Sequence, residues 1–239
     1  MMRAKYISED LLNTAEAARF LRVSQASIRR WSDSGLLQAR RVGRRRERRF
    51  RESDLATFVD GSTSAAPAAA TASVAGVTAN VPLHLATFFS SDLGGLRLAV
   101  PFLADGIRLR QPSYLVASGD VLRRYADAAL EISEGIEVVH FEGGLAADAI
   151  AQWEQILAGA TVKGASVIRI VGEMAAEREM FASEDQMLAY EEAFEVMCRR
   201  YPVAVMCQYD VRHFDGLAIL RALKAHPDLF DLRTGAFLN

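Results

Sequence analysis

Two hydrophobic periods divide the chain. In the first sixty residues apolar positions recur at helical spacing in short stretches: Ala17, Ala18 and Leu21 after Asn13-Thr14, then Ile28 and Trp31 after Ser24. The Asn and Ser ahead of each stretch offer an acceptor to the first backbone N–H groups, and Glu16 suits the positive end of its helix. Gly35 stands where the second stretch should stop. The pattern predicts a first helix opening at Asn13 and a second running from Gln25 to about Asp33. Beyond it, Leu36–Val42 and Arg48–Phe50 flank a turn at Gly43 and read as a small hairpin. Ser53–Val59 then reads as a third helix, capped by Ser53, with Leu55, Phe58 and Val59 inward. Two short helices joined by a tight turn predict a helix-turn-helix with a hairpin wing, and Trp31 is read as core.

From Pro82 onward short apolar runs alternate with longer helical stretches. The predicted strands are 84–89, 113–118, 136–141, 167–171 and 203–207. Helices are expected over 92–109, 120–130, 146–157, 184–201 and 216–225, with 229–232 as an edge strand. This alternation predicts an α/β body built on a doubly wound, mostly parallel sheet. Ligands in such sheets bind beyond the carboxyl ends of the strands.

Between the two patterns, residues 61–80 carry no charge and no aromatic side chain. Ala, Ser, Thr and Gly dominate there, and the stretch reads as a flexible linker. The expected layout is therefore 1–60 head, 61–80 linker and 81–239 body.

The net charge of −2 conceals a division between these parts. Residues 1–60 hold 14 Lys and Arg against 8 Asp and Glu; residues 61–239 hold 14 against 22. Eight of the basic residues are arginines between Arg40 and Arg51, where Glu47 is the one acid. Phosphate would attract the head and be repelled by the body, so any nucleic-acid contact belongs to the head. No run is apolar enough to span a membrane, and no secretory signal is visible. Two cysteines, Cys198 and Cys207, make no disulfide framework and suit a reducing cytoplasm.

The order Thr14-Ala15-Glu16-Ala17-Ala18, Val23-Ser24, Ile28-Arg29-Arg30-Trp31, Gly35-Leu36-Leu37, a basic wing and Ser53-Asp54-Leu55 resembles the winged heads of the MerR and excisionase families. The resemblance covers Leu11 to Val59 and implies a double-stranded DNA partner. Arg22 departs from it, standing where the family usually has Gly; a left-handed backbone there would cost Arg about 1 kcal/mol. On the predicted second helix, Ser24, Gln25, Ser27, Arg29 and Arg30 are candidates to meet base edges. Arg40, Arg41, Arg44, Arg45, Arg46, Arg48 and Arg49 are candidates for phosphate or a narrow minor groove. A head this small suggests two copies on a repeated site. The long pairing helix of MerR proteins is missing, so homodimerisation would fall to the body.

In the body, neither Gly-x-x-x-x-Gly-Lys-Ser/Thr nor Gly-x-Gly-x-x-Gly occurs, and no cofactor is expected. His84, His140, His213 and His226 are scattered without zinc-motif spacing, so neither metal ligands nor catalytic residues are expected. Cys207 is read as a small core residue and His226-Pro227 as a helix stop. His84 with Phe88-Phe89, Val100–Gly106, Gly172-Glu173-Met174, Tyr190-Glu191, Cys207-Gln208-Tyr209-Asp210 and His226-Pro227 together resemble the MEDS domain, the methanogen/methylotroph and DcmR sensory family. The resemblance spans about residues 82–239. It implies a degenerate RecA/KaiC-like fold that senses a small, hydrocarbon-derived ligand instead of catalysing a reaction. His84, Phe88, Glu173, Gln208, Tyr209 and Asp210 are the candidate ligand residues. The combined expectation is a transcription regulator with a small-molecule effector; the alternative is a body that binds a protein partner through its acidic helices.

Overall fold

A computed structural model describes residues 11–60, 70–128, 133–226 and Asp228. The chain divides into two compact units, Met1–Thr63 and Ser64–Asn239.

In the head, α1 (Thr14–Leu21) opens on a full capping box. Asn13 Oδ1 accepts from the N–H of Ala15 at 2.8 Å and of Glu16 at 3.0 Å, and Asn13 N–H donates back to Glu16 Oε2 at 2.7 Å. Arg22 ends the helix with φ 57° and ψ 37°, in the left-handed region that the sequence flagged as costly for Arg. Helix α2 (Gln25–Asp33) starts at Ser24, whose Oγ accepts from Ser27 N–H at 3.0 Å. Strands β1 (Leu11–Asn13), β2 (Arg40–Val42) and β3 (Glu47–Arg51) form an antiparallel sheet in the order β1-β3-β2. Helix α3 (Glu52–Asp60) leaves β3 directly, so it begins one residue before the expected Ser53 cap. Ala17, Ile28, Trp31, Phe50 and Leu55 form the core, with Phe58 packed on Trp31 at 5.0 Å between ring centroids. Val59, expected inward, is exposed because it follows Phe58 around to the solvent side of α3. Strand β1 was not anticipated: three residues are too few to display a period of two.

The body holds a five-stranded sheet among the described residues, all parallel, in the order β6-β10-β9-β7-β8. Its strands are β6 (Leu83–Phe89), β7 (Ser113–Val116), β8 (Ile136–Val139), β9 (Ile168–Glu173) and β10 (Val203–Asp210). Helices α4 (Asp92–Arg108) and α5 (Gly119–Ala128) cover one face. The other carries α6 (Ala146–Val162), α7 (Met174–Glu179), α8 (Glu184–Cys198) and α9 (Gly216–Ala225). The doubly wound α/β expectation is met, and β6, β9 and β10 are buried along their whole length. The expected edge strand at 229–232 lies outside the described residues.

The linker reading fails over its second half. Strands β4 (Thr71–Val74) and β5 (Val77–Asn80) form a hairpin of the body, with Ala72, Val74 and Ala79 buried. Ala75 (φ 50°) and Gly76 (φ 77°) make the two-residue left-handed turn that matches strand twist. The composition hid this, because Ala and Thr serve a small two-stranded ribbon as readily as a coil. Residues 61–69 lie outside the described residues. Arg169, buried on β9, ties the hairpin down: its guanidinium donates to Ser73 O at 3.1 Å, Phe102 O at 3.0 Å and Gln111 Oε1 at 2.8 Å. Gly106 on α4 makes room, since a Cβ there would stand 2.7 Å from Arg169 Cδ.

Candidate nucleic-acid interface and sensory site

The head carries its positive charge on two neighbouring elements. On α2, Gln25 and Arg29 are exposed one turn apart, and Arg29 Nη2 donates to Gln25 Oε1 at 3.2 Å. That pair puts two forked side chains on one face, groups of the kind that can pair with adenine and guanine edges. Ser24 is exposed but engaged as the helix cap. Ser27 is buried, with its hydroxyl 2.9 Å from that of Ser24; the sequence put it among the base readers, and the structure turns it inward. Arg30 is half-buried on the same helix.

In the wing, antiparallel register sets Arg40 opposite Arg49 and Arg41 opposite Arg48. Like charges directly opposite repel, and a polyanion laid along the ribbon would relieve that repulsion. Asp33, at the end of α2, accepts from Arg48 at 2.5 Å and from Arg41 at 3.4 Å, which fixes the wing relative to the helix. Arg49 pairs with Glu47 at 3.0 Å. Arg44, Arg45 and Arg46 stand exposed at the tip, where Gly43 (φ 74°) and Arg46 (φ 49°) turn the chain.

The six candidate ligand residues of the body are all buried, and the sheet divides them. In-register neighbours on parallel strands share a face, so Glu173 and Gln208, paired across β9 and β10, lie on the α4/α5 side with Asp210. His84, Phe88 and Tyr209 lie on the opposite side, where Phe88 stacks on Tyr209 at 5.5 Å and Tyr209 donates to Glu191 Oε2 at 2.9 Å. One ligand cannot touch both sets, and the sequence grouping into a single site is corrected by the pleat.

At the α4/α5 mouth of the sheet lies a small cleft of about 10 Å³, lined by Phe89, Asp92, Gly95, Arg124, Tyr125 and Gln208. Tyr125 donates to Gln208 Oε1, and Gln208 Nε2 donates to Gly95 O at 2.9 Å. Glu173, beside Gln208 in register, caps α7 by accepting from Ala176 N–H at 3.0 Å. Burial pushes its carboxyl up to about 7 against that hydrogen bond. Arg212 grips Asp210 through Nε at 2.8 Å and Nη2 at 2.5 Å, and also reaches Asp92 Oδ1, the oxygen that Arg124 contacts as well. Hydrogen bonding from Arg212 lowers Asp92, and Arg212 lowers Asp210 against its burial. Asp92, Gly95, Arg124 and Tyr125 were not singled out by sequence; they converge only through the crossovers into α4 and α5.

Behind the opposite face, Glu177, Glu191 and Tyr190 are buried together, and desolvation raises all three above their ordinary values. His226 ends α9 and donates from Nδ1 to Ala222 O at 2.7 Å, in keeping with a helix stop.

A winged helix-turn-helix with an arginine-lined ribbon, carried in one chain with a doubly wound parallel domain, is the build of a DNA-binding regulator with a second α/β module. Comparison with known proteins places it further. Residues 83–227 match the MEthanogen/methylotroph, DcmR Sensory domain family, and residues 11–62 match a helix-turn-helix domain family. The chain belongs to the MEDS family. It is 36% identical over 248 aligned positions to the transcriptional repressor DcmR of Methylorubrum extorquens, covering 95% of this chain and 94% of that protein. No solved structure matches the chain. Among the described residues no helix is long and apolar enough to cross a membrane.

Proposed function

We propose that this protein is a transcriptional repressor whose winged head holds an operator and whose body releases it when a small ligand enters the cleft at the ends of β6 and β10. The observation that carries the DNA reading is the wing register, which opposes arginine to arginine beside the exposed Gln25 and Arg29 of α2. Likeness to a repressor along nearly the whole chain supports the direction of regulation. Two copies would bind a repeated site, paired through their bodies.

The cleft holds about 10 Å³, room for little more than one water, so a ligand would have to part α4 from α5 to enter it. Tyr125 and Gln208 supply polar groups and Phe89 an apolar wall, with Glu173 beside Gln208 in register. Entry of a ligand would exchange the Tyr125–Gln208–Gly95 hydrogen bonds for contacts to itself and shift α4 against α5, a bias the paired heads would feel as changed spacing.

The test is release of full-length protein from a selected DNA site by one- to three-carbon halogenated and oxygenated compounds, followed by fluorescence anisotropy. Gln208→Leu and Tyr125→Phe should retain DNA affinity and lose release. Release at unchanged ligand concentration in both variants would remove the cleft from the account. Absence of DNA binding by the unsubstituted protein would remove the repressor reading itself.

A further inference from the structure

His84 and Cys207 are 123 residues apart in sequence, yet the pairing of β6 with β10 brings them into contact, and His226 at the end of α9 closes over both. Their two ring nitrogens and one sulfur lie within 4.8 Å of one another, and all three residues are buried. Nothing in the cleft on the other face uses them.

Each histidine is already oriented. His84 Nδ1 lies 2.7 Å from Glu195 Oε2, and His226 Nδ1 lies 2.7 Å from Ala222 O. An imidazole that carries its proton on Nδ1 presents a lone pair at Nε2. His84 Nε2 faces Cys207 Sγ at 3.2 Å, while His226 Nε2 is buried with no hydrogen-bond partner. Glu191 brings a second buried acceptor. Its Oε2 lies 3.8 Å from His226 Nε2, and its Oε1 has no hydrogen-bond partner. A buried acceptor left without a donor costs about 1–3 kcal/mol, and a cation held beside His226 Nε2 would satisfy it.

We propose that His84, Cys207 and His226, with Glu191 as fourth ligand, hold a zinc ion. Two imidazoles, a thiolate and a carboxylate are a donor set that suits zinc. The thiolate and the carboxylate balance its two charges, so the buried site carries no net charge. Tetrahedral bonds of about 2.0–2.3 Å place ligand atoms about 3.3–3.8 Å apart, so the three clustered atoms would draw in from within 4.8 Å and Glu191, outside that cluster, would turn toward them. Binding displaces the Cys207 thiol proton to solvent. The outer shell is present: Arg199 holds Glu195 at 2.5 Å and Asp228 at 3.0 Å, and Asp228 accepts from His84 N–H at 2.9 Å. Four protein ligands leave no open position, so the ion ties α8 and α9 to the sheet and performs no catalysis.

The test uses the full chain, purified without chelator and assayed for metal, then stripped and titrated with cobalt as a spectroscopic probe. The expected result is about one zinc per chain, with visible bands of tetrahedral cobalt and a near-ultraviolet thiolate charge-transfer band. His226→Ala should weaken zinc binding about tenfold or more, and Cys207→Ser should abolish the charge-transfer band. Cys198→Ser, at the other buried thiol, should change neither. Should His226→Ala fail to fold, the Cys207→Ser and Cys198→Ser spectra decide. A folded protein carrying less than about a tenth of a zinc ion per chain, with no charge-transfer band on cobalt addition, overturns the proposal.

Discussion

Arg22 ends α1 with a left-handed backbone that glycine would adopt without strain. Arg22→Gly should therefore stabilise the head by about 1 kcal/mol in chemical denaturation, leaving DNA affinity nearly unchanged. Glu173 makes a second residue-scale prediction. Its carboxyl titrates near 7 in the folded protein, against an ordinary 4.5. Below about 4.5 both states hold the proton. Between 4.5 and 7 the folded state alone keeps it, so this group's contribution falls as pH rises and is lost above 7. Glu173→Gln removes that slope, and the stability difference between variant and parent should grow by up to about 3 kcal/mol from pH 4.5 to pH 8. Thermal melts across that range check it; parallel profiles would refute it. The sequence located Glu173 at a strand end but could not report its burial, because the helices that cover it come from other parts of the chain.

Among the elements, the two halves of the head were legible to different degrees. The capping box of Asn13 and Glu16, the Ser24 cap and the inward Ile28 and Trp31 are local features, and each stands where spacing put it. Ser27 was misassigned because its hydroxyl serves the Ser24 cap instead of a base. The hairpin at 71–80 escaped notice for a related reason: its alternation is written in alanines and threonines, whose burial becomes visible only once Arg169 and α4 are in place. The wing depends on a contact no local pattern reveals, the pairing of Arg41 and Arg48 with Asp33. Asp33→Asn removes a repelling charge but loosens the wing from α2. Binding to nonspecific duplex should rise slightly while the specific-to-nonspecific ratio falls about three- to tenfold in competition assays. An unchanged ratio would mean that the wing is positioned without Asp33.

At the scale of the whole molecule, charge and topology divide the labour. The head carries 14 basic residues against 8 acidic and the body 14 against 22, so a polyanion meets attraction at one unit and repulsion at the other. Parallel pairing in the body assembles groups that sequence leaves far apart. It brings Gln208 beside Glu173 on one face and His84 beside Cys207 on the other. The candidate ligand residues were chosen by type and strand position, while their division between two faces depends on the strand order β6-β10-β9.

The most direct test is the salt dependence of duplex DNA binding by the full-length protein. The slope of log affinity against log salt should be steeper than about −4, and Arg44→Ala, Arg45→Ala and Arg46→Ala combined should make it shallower by about 2 to 3. A flat dependence, or a triple variant with the parent's slope, would contradict an arginine wing that grips the phosphate backbone.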